Sequence, residues 1–400
     1  MPVLPSPIPG RVEVEGWVDA HLGHLTLEMD VVGSSRFSGG QRAADAALQA
    51  FDVAAYAARR NEVLPVGRRG ASALSPWIRH GLLTLSEVWD HVADGPERDV
   101  RKYRDELLWQ EYARHVYARL GRRTAEGLRH ERAVVAADGW DRSMACLDAV
   151  VGELESDGWL VNQTRMWLAS DWTVRHGGRW QEGEDRFFQH LLDGSRSANR
   201  LGWQWTTGVG SSKPYGFSRW QVEKRAPGLC STCPHERACP IGDWPDDAVD
   251  PVGVAPVELG KAAGPPAFAG PLHPESLGEP EAVWLTAESL GERDPALVAH
   301  PELPVVFVFD EPLLSRLRLS AKRLVFLAET LAELADHRDL EIRLGPVVDE
   351  LDGRRLAVTH APVPGFAVRS SALDVVVRHP FPWLRTPHSG SIRSFSAWRR

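Results

Sequence analysis

The hydrophobic periodicity of this chain changes once, across a segment rich in Pro, Gly and acidic residues. That segment, residues 243–280, reads DWPDDAVDPVGVAPVELGKAAGPPAFAGPLHPESLGEP. Before it, apolar side chains recur at i, i+3 and i+4, as in DVRKYRDELLWQEYARHVYARLGRR, which predicts amphipathic helices. After it, short apolar runs such as EAVWLTA, LPVVFVFD and LDVVVRH alternate with the helical SAKRLVFLAETLAELADHR, which predicts strands and helices in alternation.

A chain with two such patterns is expected to form two domains. We predict an all-α domain over residues 1–242 and a small α/β domain, Rossmann-like with a parallel sheet, over residues 281–400. Residues 243–280 are interpreted as an inter-domain linker, and a long surface excursion is the alternative. No GxGxxG or GxxxxGK[ST] phosphate loop is present.

The net charge of −8 is unevenly distributed. Residues 243–311 contain 14 acidic and 2 basic side chains, so the rest of the chain is mildly basic and a nucleic-acid partner is not excluded. The first residues have no basic segment followed by an apolar run, and no run of 18 apolar residues occurs. We therefore expect a cytoplasmic protein without a signal peptide or a membrane span.

Residues 158–205 hold the densest group of candidate functional side chains. Asn162 and Arg165 are three apart in a helical pattern and share a face, and Arg165 could pair with Asp193 beside a polar ligand, with Asn199 close to the next turn. Three tryptophans follow at irregular spacing, as expected of a pocket lining: Trp180, Trp203 and Trp205. The residues alone leave two interpretations open, a polar and aromatic cavity or a structural ion pair among core tryptophans.

Three of the four cysteines lie in GLCSTCPHERACP, residues 228–240, and the fourth, Cys146, lies far upstream in MACL. So few cysteines in a chain with no secretion signal favour metal ligands over disulfides. Four thiolates suit a Zn²⁺ ion or an iron–sulfur cluster, and the spacing does not separate the two.

Four segments, taken in chain order, resemble the flavin-binding domain of the DNA photolyase/cryptochrome family: GWLVNQTRM, WQEGEDRFF, LLDG and ANRLGWQW. Upstream, SGGQRAADAALQAFDVAAYAARR, SALSPWIRHGLLTLSEVW and ELLWQEYARHVY follow the family's order, so the resemblance covers roughly residues 35–240. It implies an all-α photolyase-type domain with FAD as cofactor.

The resemblance also implies roles for individual residues. The family positions that hold the FAD phosphates correspond to Tyr56, Ser72, Leu74 and Ser75. Hydroxyl groups at a helix N-terminus are well suited to bind phosphate. Positions around the isoalloxazine ring correspond to Asn162, Arg165, Asp193, Ser195 and Asn199, the last near N5. Trp203 and Trp180 match the photoreduction chain, and Glu106 and Trp109 match the pair that meets a flipped pyrimidine dimer in repair enzymes.

Two positions depart from the family pattern. Ala71 stands where the family has Thr, and Ser195 replaces the second Asp of Asp-Gly-Asp near the polar edge of the flavin. FAD binding is expected to be retained, while the redox tuning of the flavin is expected to differ.

The cysteines and the tail extend the resemblance. Cys146, Cys230, Cys233 and Cys239 are similar to the ligands of a [4Fe–4S] cluster in the prokaryotic iron–sulfur branch, with Zn²⁺ as the alternative. AVWLTAESLGERDPAL resembles the opening strand of the family's α/β domain, which implies a domain-level permutation that moves this domain to the C-terminus; an unrelated α/β domain is the alternative. The resemblance assigns no antenna chromophore.

The function implied is that of a photolyase-type lyase, which repairs UV pyrimidine photoproducts in DNA by light-driven electron transfer from reduced FAD. The alternatives are a cryptochrome-type blue-light photoreceptor with a signalling partner, and a degenerate flavoprotein with a structural cluster. We expect UV-damaged DNA, single or double stranded, as the partner of a monomer. The sequence does not separate cyclobutane dimers from 6–4 products.

Overall fold

The computed structural model describes residues 3–129, 135, 139–211, 213–245 and 255–400. Its first part is helical, as predicted. The helices are α1 Arg11–Leu22, α2 Gln41–Ala50, α3 Tyr56–Arg59, α4 Ser75–Arg79, α5 Leu85–His91, α6 Glu97–Leu120, α7 Ala145–Asp157, α8 Asn162–Ser170, α9 Trp180–His190, α10 Arg196–Thr207 and α11 Arg219–Arg225. Among the described residues, no helix is long and apolar enough to cross a membrane.

The 24-residue helix α6 forms part of the wall of a cavity in the helical domain. Glu97 and Asp99 lie in its first turn, where carboxylates interact favourably with the helix dipole, and the helix is followed by Gly121, whose φ is 54°. One face of α6 is apolar and buried through Leu108 and Tyr112, and continues two further turns along the helix. This periodicity is the one that the sequence showed.

The second part of the chain contains a six-stranded sheet. Its elements are β1 Glu275–Ser276, β2 Ala282–Leu285, α12 Pro295–Ala299, β3 Val305–Asp310, α13 Glu311–Leu317, α14 Ala321–Ala335, β4 Leu340–Gly345, α15 Val347–Glu350, β5 Leu356–Thr359, α16 Phe366–Ser371, β6 Val375–His379 and α17 Phe395–Trp398. The strand order is β1-β6-β5-β2-β3-β4.

All neighbouring strands pair in parallel except β1, which is antiparallel to β6. In β3 the first five of six residues are buried, as expected of a central parallel strand with both faces covered. The helical content and the predominantly parallel sheet agree with the predicted fold class; the order of the two domains and the Rossmann-like interpretation stay predictions.

The two parts pack directly against each other. The backbone N–H groups of Gly39 and Gly40 donate to Glu329 and Thr330 of α14. A Cβ at Gly39 would overlap the carbonyl oxygen of Phe326, so this approach requires glycine. The packing brings loops of the sheet domain to the side of the helical domain that contains the cavity described below.

The predicted linker is only partly described, because residues 246–254 lie outside the described residues. Its described remainder contacts α6: the N–H of Phe268 donates to the carbonyl of Ala118 at 2.9 Å. Leu259 and Ala269 are 4% and 2% exposed. These residues therefore contribute to the core beside α6.

The buried carboxyl of Asp294 makes stability depend on pH. Burial raises the pKa of Asp294 to about 7, although its side chain accepts hydrogen bonds from Thr359 and from backbone N–H groups of α12. Between the ordinary carboxyl pKa of about 4 and pH 7, the folded protein binds more protons at this position than the unfolded chain. The free energy of unfolding therefore falls as pH rises through this range.

We expect Asp294→Asn to reduce the fall in the free energy of unfolding with rising pH, because an amide keeps the acceptor oxygen and cannot ionise. The measurement is the melting temperature of native and variant protein between pH 5 and pH 8. Asp310→Asn is the matched control, since Asp310 caps α13 in the same way from a partly exposed position. An equal pH slope in native protein and Asp294→Asn would contradict the assignment.

Candidate functional site

A cavity of about 330 Å³ lies between the helical domain and three loops of the sheet domain, which follow β2, β5 and β6. Helices α6, α8 and α10 each place side chains on its wall at helical spacing. The wall contains ten of the residues singled out from the sequence: Tyr56, Ser72, Ser75, Glu106, Asn162, Arg165, Asp193, Ser195, Asn199 and Trp203. The structure therefore brings together residues that are up to 147 positions apart in sequence.

Four of the residues singled out between positions 56 and 205 do not line this cavity. Trp205 is 45% exposed, and its ring packs against that of Tyr215. Leu74 is fully buried in the core at the start of α4, as its apolar side chain favours. Trp180 begins α9 and is 7% exposed, away from the cavity wall. Trp109 lies three residues beyond Glu106, which turns it about 60° around α6, and its ring stacks on Phe395 instead.

The centre of the polar wall is an ion pair between α8 and the loop before α10. Nη2 of Arg165 lies 2.7 Å from Oδ2 of Asp193, and Nε of Arg165 donates to the carbonyl of Leu160 at 3.0 Å. The pair is largely buried, with Asp193 7% exposed. Because the backbone of Leu160 also holds the guanidinium, the carboxylate has a defined orientation toward the cavity.

Three buried polar atoms on this wall have no hydrogen-bond partner among the described residues: Oδ1 of Asp193, Nδ2 of Asn199 and Nε1 of Trp203. An unpaired buried donor or acceptor costs about 1–3 kcal/mol, so such groups in one cavity indicate a polar ligand. The polar edge of a flavin ring carries both hydrogen-bond acceptors and a donor. It can therefore pair with the two donors and the one acceptor on this wall. The donor set therefore fits FAD.

Local sequence explains this wall. Asn162, Arg165 and Met166 follow the helical period of α8, so one face of the helix points into the cavity. A Cβ at Gly183 of α9 would overlap the indole of Trp203, so glycine lets that ring pack between α9 and α10. The Trp203 ring lies 5.0 Å from Phe187, which lies 6.0 Å from the partly exposed Trp140.

Hydroxyl groups stand at another part of the wall. Oγ of Ser72 accepts from the Tyr103 hydroxyl at 3.1 Å, and Oγ of Ser75 accepts from Nε1 of Trp159 at 2.9 Å. No acceptor is seen for either serine proton among the described residues. Both hydroxyls are therefore able to donate to an anionic group in the cavity.

Polar and charged residues that the sequence reasoning missed also line the cavity. Gln110 and Arg114 follow Glu106 at i+4 and i+8 on α6, so the helical period alone could have indicated them. Glu288, from the sheet domain, pairs with Arg79 at 2.7 Å. Nothing in local sequence places Glu288 here, because its position depends on the packing of the two domains.

Glu106 has two cationic neighbours. Its Oε1 lies 2.7 Å from Nζ of Lys102 and 3.5 Å from Nε of Arg60. Burial, and then the charge of Glu106, raise the pKa of the Tyr56 hydroxyl well above its ordinary value, so this phenol stays a neutral hydrogen-bond donor.

The four cysteines line a second, smaller cavity of about 20 Å³. Cys146 lies on α7, and Cys230, Cys233 and Cys239 lie in the loop after α11. All four thiols are free of disulfides, and burial together with the neighbouring cysteines raises the pKa of Cys146 to about 12. Within the described ranges, no three His, Cys, Asp or Glu side chains are spaced as a formed metal site.

Part of the chain is similar in sequence to known proteins. Residues 103–225 match a sequence family described as the FAD binding domain of DNA photolyase. The chain is 28% identical over 205 residues to a deoxyribodipyrimidine photo-lyase of Synechococcus sp., covering 46% of this chain and 42% of the relative. It is 32% identical over 189 residues to that of Thermus thermophilus, covering 44% of each.

A third relative has a different name. The cryptochrome DASH of Gloeobacter violaceus is 26% identical over 250 residues, covering 56% of this chain and 48% of the relative. The chain thus spans less than half the length of these curated relatives. The matched part of the chain is therefore similar to the FAD-binding domain of the photolyase/cryptochrome family.

Proposed function

We propose that this protein binds FAD in the cavity around Arg165 and Asp193 and repairs UV pyrimidine photoproducts in DNA under blue light. The observation that carries the proposal is the group of unpartnered buried atoms on Asp193, Asn199 and Trp203. Relatives named photo-lyase support the reaction class. Bound FAD would supply the light-driven electron transfer that opens the lesion.

The chain's own residues would bind and orient both the FAD and the damaged base. The Asp193 carboxylate and the Asn199 amide offer an acceptor and a donor side by side to the polar edge of a flavin. The Ser72 and Ser75 hydroxyls would donate to phosphate oxygens. The Glu106 carboxylate, which is paired with Lys102 and also lines the cavity, would accept a hydrogen bond from an extruded base.

The test is light-dependent repair. The protein is purified without oxygen, its absorption spectrum is recorded, and an oligonucleotide containing a thymine dimer is incubated with it under blue light and in the dark. We expect a flavin spectrum and dimer reversal only in the light. A flavin-containing protein that reverses neither cyclobutane dimers nor 6–4 products would overturn repair; a colourless protein would overturn FAD binding as well.

A cryptochrome-type photoreceptor is the second candidate, and two observations favour it. Trp109, the expected base-stacking residue, lies outside the cavity and against Phe395. Ser195 in place of an acidic residue, hydrogen bonded to Ser197 at 2.8 Å, also points to a changed flavin environment. A reversible blue-light change in the flavin spectrum without dimer reversal would favour this candidate.

For the second cavity we propose a [4Fe–4S] cluster held by Cys146, Cys230, Cys233 and Cys239, with Zn²⁺ as the alternative. The support is that all four free thiols line one small cavity. Four thiolates suit either metal, but only the cluster contains acid-labile sulfide.

We expect anaerobically purified protein to contain iron and sulfide, and Cys233→Ser to lose most of both. The measurement is metal and sulfide analysis together with the absorption near 400 nm. Ser231→Ala, in the same loop, is the matched control, because its hydroxyl donates to the carbonyl of Gly228 within the loop. Zinc without sulfide would select the alternative, and unchanged metal content in Cys233→Ser would contradict the site.

We further propose that residues 281–400 correspond to the family's α/β domain in a new position, following a helical domain of residues 1–242 and the segment 243–280. The supporting pattern is the run of parallel strands from Ala282 onward. UV-damaged DNA is the proposed partner of a cytoplasmic monomer.

A further inference from the structure

The face of α6 beside the cavity is covered by the last residues of the chain. We call residues 392–400 the carboxy-terminal strap. The ring of Phe395 lies parallel to that of Trp109, with centroids 4.0 Å apart and 10° between the planes. One turn earlier on α6, Oδ1 of Asp105 lies 2.6 Å from the Arg399 guanidinium.

The strap is anchored on both sides of Phe395. Ile392 and Trp398 are each 1% exposed, and they pack in one cluster with the apolar face of α6. The Tyr112 hydroxyl donates to the carbonyl of Ile392 at 2.9 Å, and the indole of Trp398 donates to Nδ1 of His115 at 3.0 Å. Phe395 itself is only partly buried, so its ring can move away from Trp109 while Ile392 and Trp398 stay packed against α6.

Trp109 stacks on Phe395 and does not line the cavity. Glu106 reaches the cavity, but Trp109, three residues later, does not. One face of its indole is occupied by Phe395 and its edge meets Tyr112 at 82°, although 39% of the residue is exposed. A base that stacks on the Phe395 side of this indole must first displace an aromatic ring.

We propose that Phe395 is a positioning residue that holds Trp109 outside the cavity, so that an extruded base and the Phe395 ring compete for the indole. This rests on the proposed function, since it takes a base as the ligand of Trp109. A stacked aromatic pair is a contact of moderate strength, so the ring restrains Trp109 without locking it. The strap thereby lowers the affinity of the protein for damaged DNA.

The experiment measures binding of a fluorescent oligonucleotide with one thymine dimer, by anisotropy, to native protein and to Phe395→Ala and Phe395→Tyr. We expect Phe395→Ala to bind about three- to tenfold more tightly, and Phe395→Tyr, which keeps the stack, to bind as the native protein does. In a Trp109→Ala background, Phe395→Ala should have no further effect. Flavin content and melting temperature show that each variant is folded.

The outcomes separate this proposal from the function on which it rests. Equal or weaker binding by Phe395→Ala, with native protein still preferring the dimer over undamaged oligonucleotide, overturns the role of Phe395 alone. If neither the native protein nor Phe395→Ala prefers the dimer, both proposals fail. Binding that follows the expected pattern without light-dependent reversal supports the role of Phe395 and contradicts repair.

Discussion

Asp193→Ala is expected to be purified with little or no flavin. Its carboxylate makes the 2.7 Å ion pair with Arg165, and its second oxygen faces the cavity unpaired. Removing one partner of a buried pair costs about 3–5 kcal/mol, because the other charge stays buried without compensation. If the ligand shares this pair, its affinity should fall by about a hundredfold or more.

The measurement is the flavin-to-protein ratio from the absorption spectrum, followed by titration of the flavin-free protein with FAD. Asp185→Ala is the matched control, since Asp185 is an exposed carboxylate, 59% accessible, that also pairs with an arginine. Circular dichroism of the flavin-free proteins separates loss of binding from loss of fold. Full flavin occupancy in Asp193→Ala would contradict a flavin site at this pair.

Trp398→Ala is expected to give the largest loss of stability among single tryptophan replacements in the strap and its neighbourhood. Trp398 is 1% exposed, packs in one cluster with Tyr112 and Leu108 of α6, and donates a buried hydrogen bond to His115. Truncating such a side chain leaves a cavity and an unpaired acceptor, and costs about 3–5 kcal/mol.

Urea unfolding, followed by circular dichroism, measures this loss. Trp220→Ala is the matched control, because Trp220 is 52% exposed and contacts only the surface Lys224 among the described ring contacts. We expect a clear decrease of the unfolding midpoint for Trp398→Ala and almost none for Trp220→Ala. Equal midpoints would show that the strap does not contribute to the stability of α6.

The helical wall of the candidate site could be predicted from the sequence, because it depends on local periodicity. Asn162 and Arg165 share a face of α8 by spacing alone, and the structure places both on the cavity wall. The parallel strands were equally readable, since β3 is a continuous apolar run buried on both faces.

The orientation of Trp109 and the contribution of Glu288 to the cavity wall could not be predicted from local periodicity. Trp109 and Phe395 are 286 positions apart, and nothing in either neighbourhood indicates that their rings stack. Glu288 lines the cavity only because the sheet domain packs against Arg79. Such contacts depend on how whole elements pack, and local sequence carries no signal of it.

The sequence by itself therefore determined the helical and sheet-forming parts, the Arg165–Asp193 pair as a candidate, and the set of four cysteines. Only the tertiary structure decided that the four thiols line one cavity, that the polar wall keeps unpartnered atoms on Asp193 and Asn199, and that Trp109 stacks on Phe395 and does not line the cavity. The physical reason is that residue type and periodicity act within a few turns of the chain, whereas burial and orientation are set by packing between distant segments.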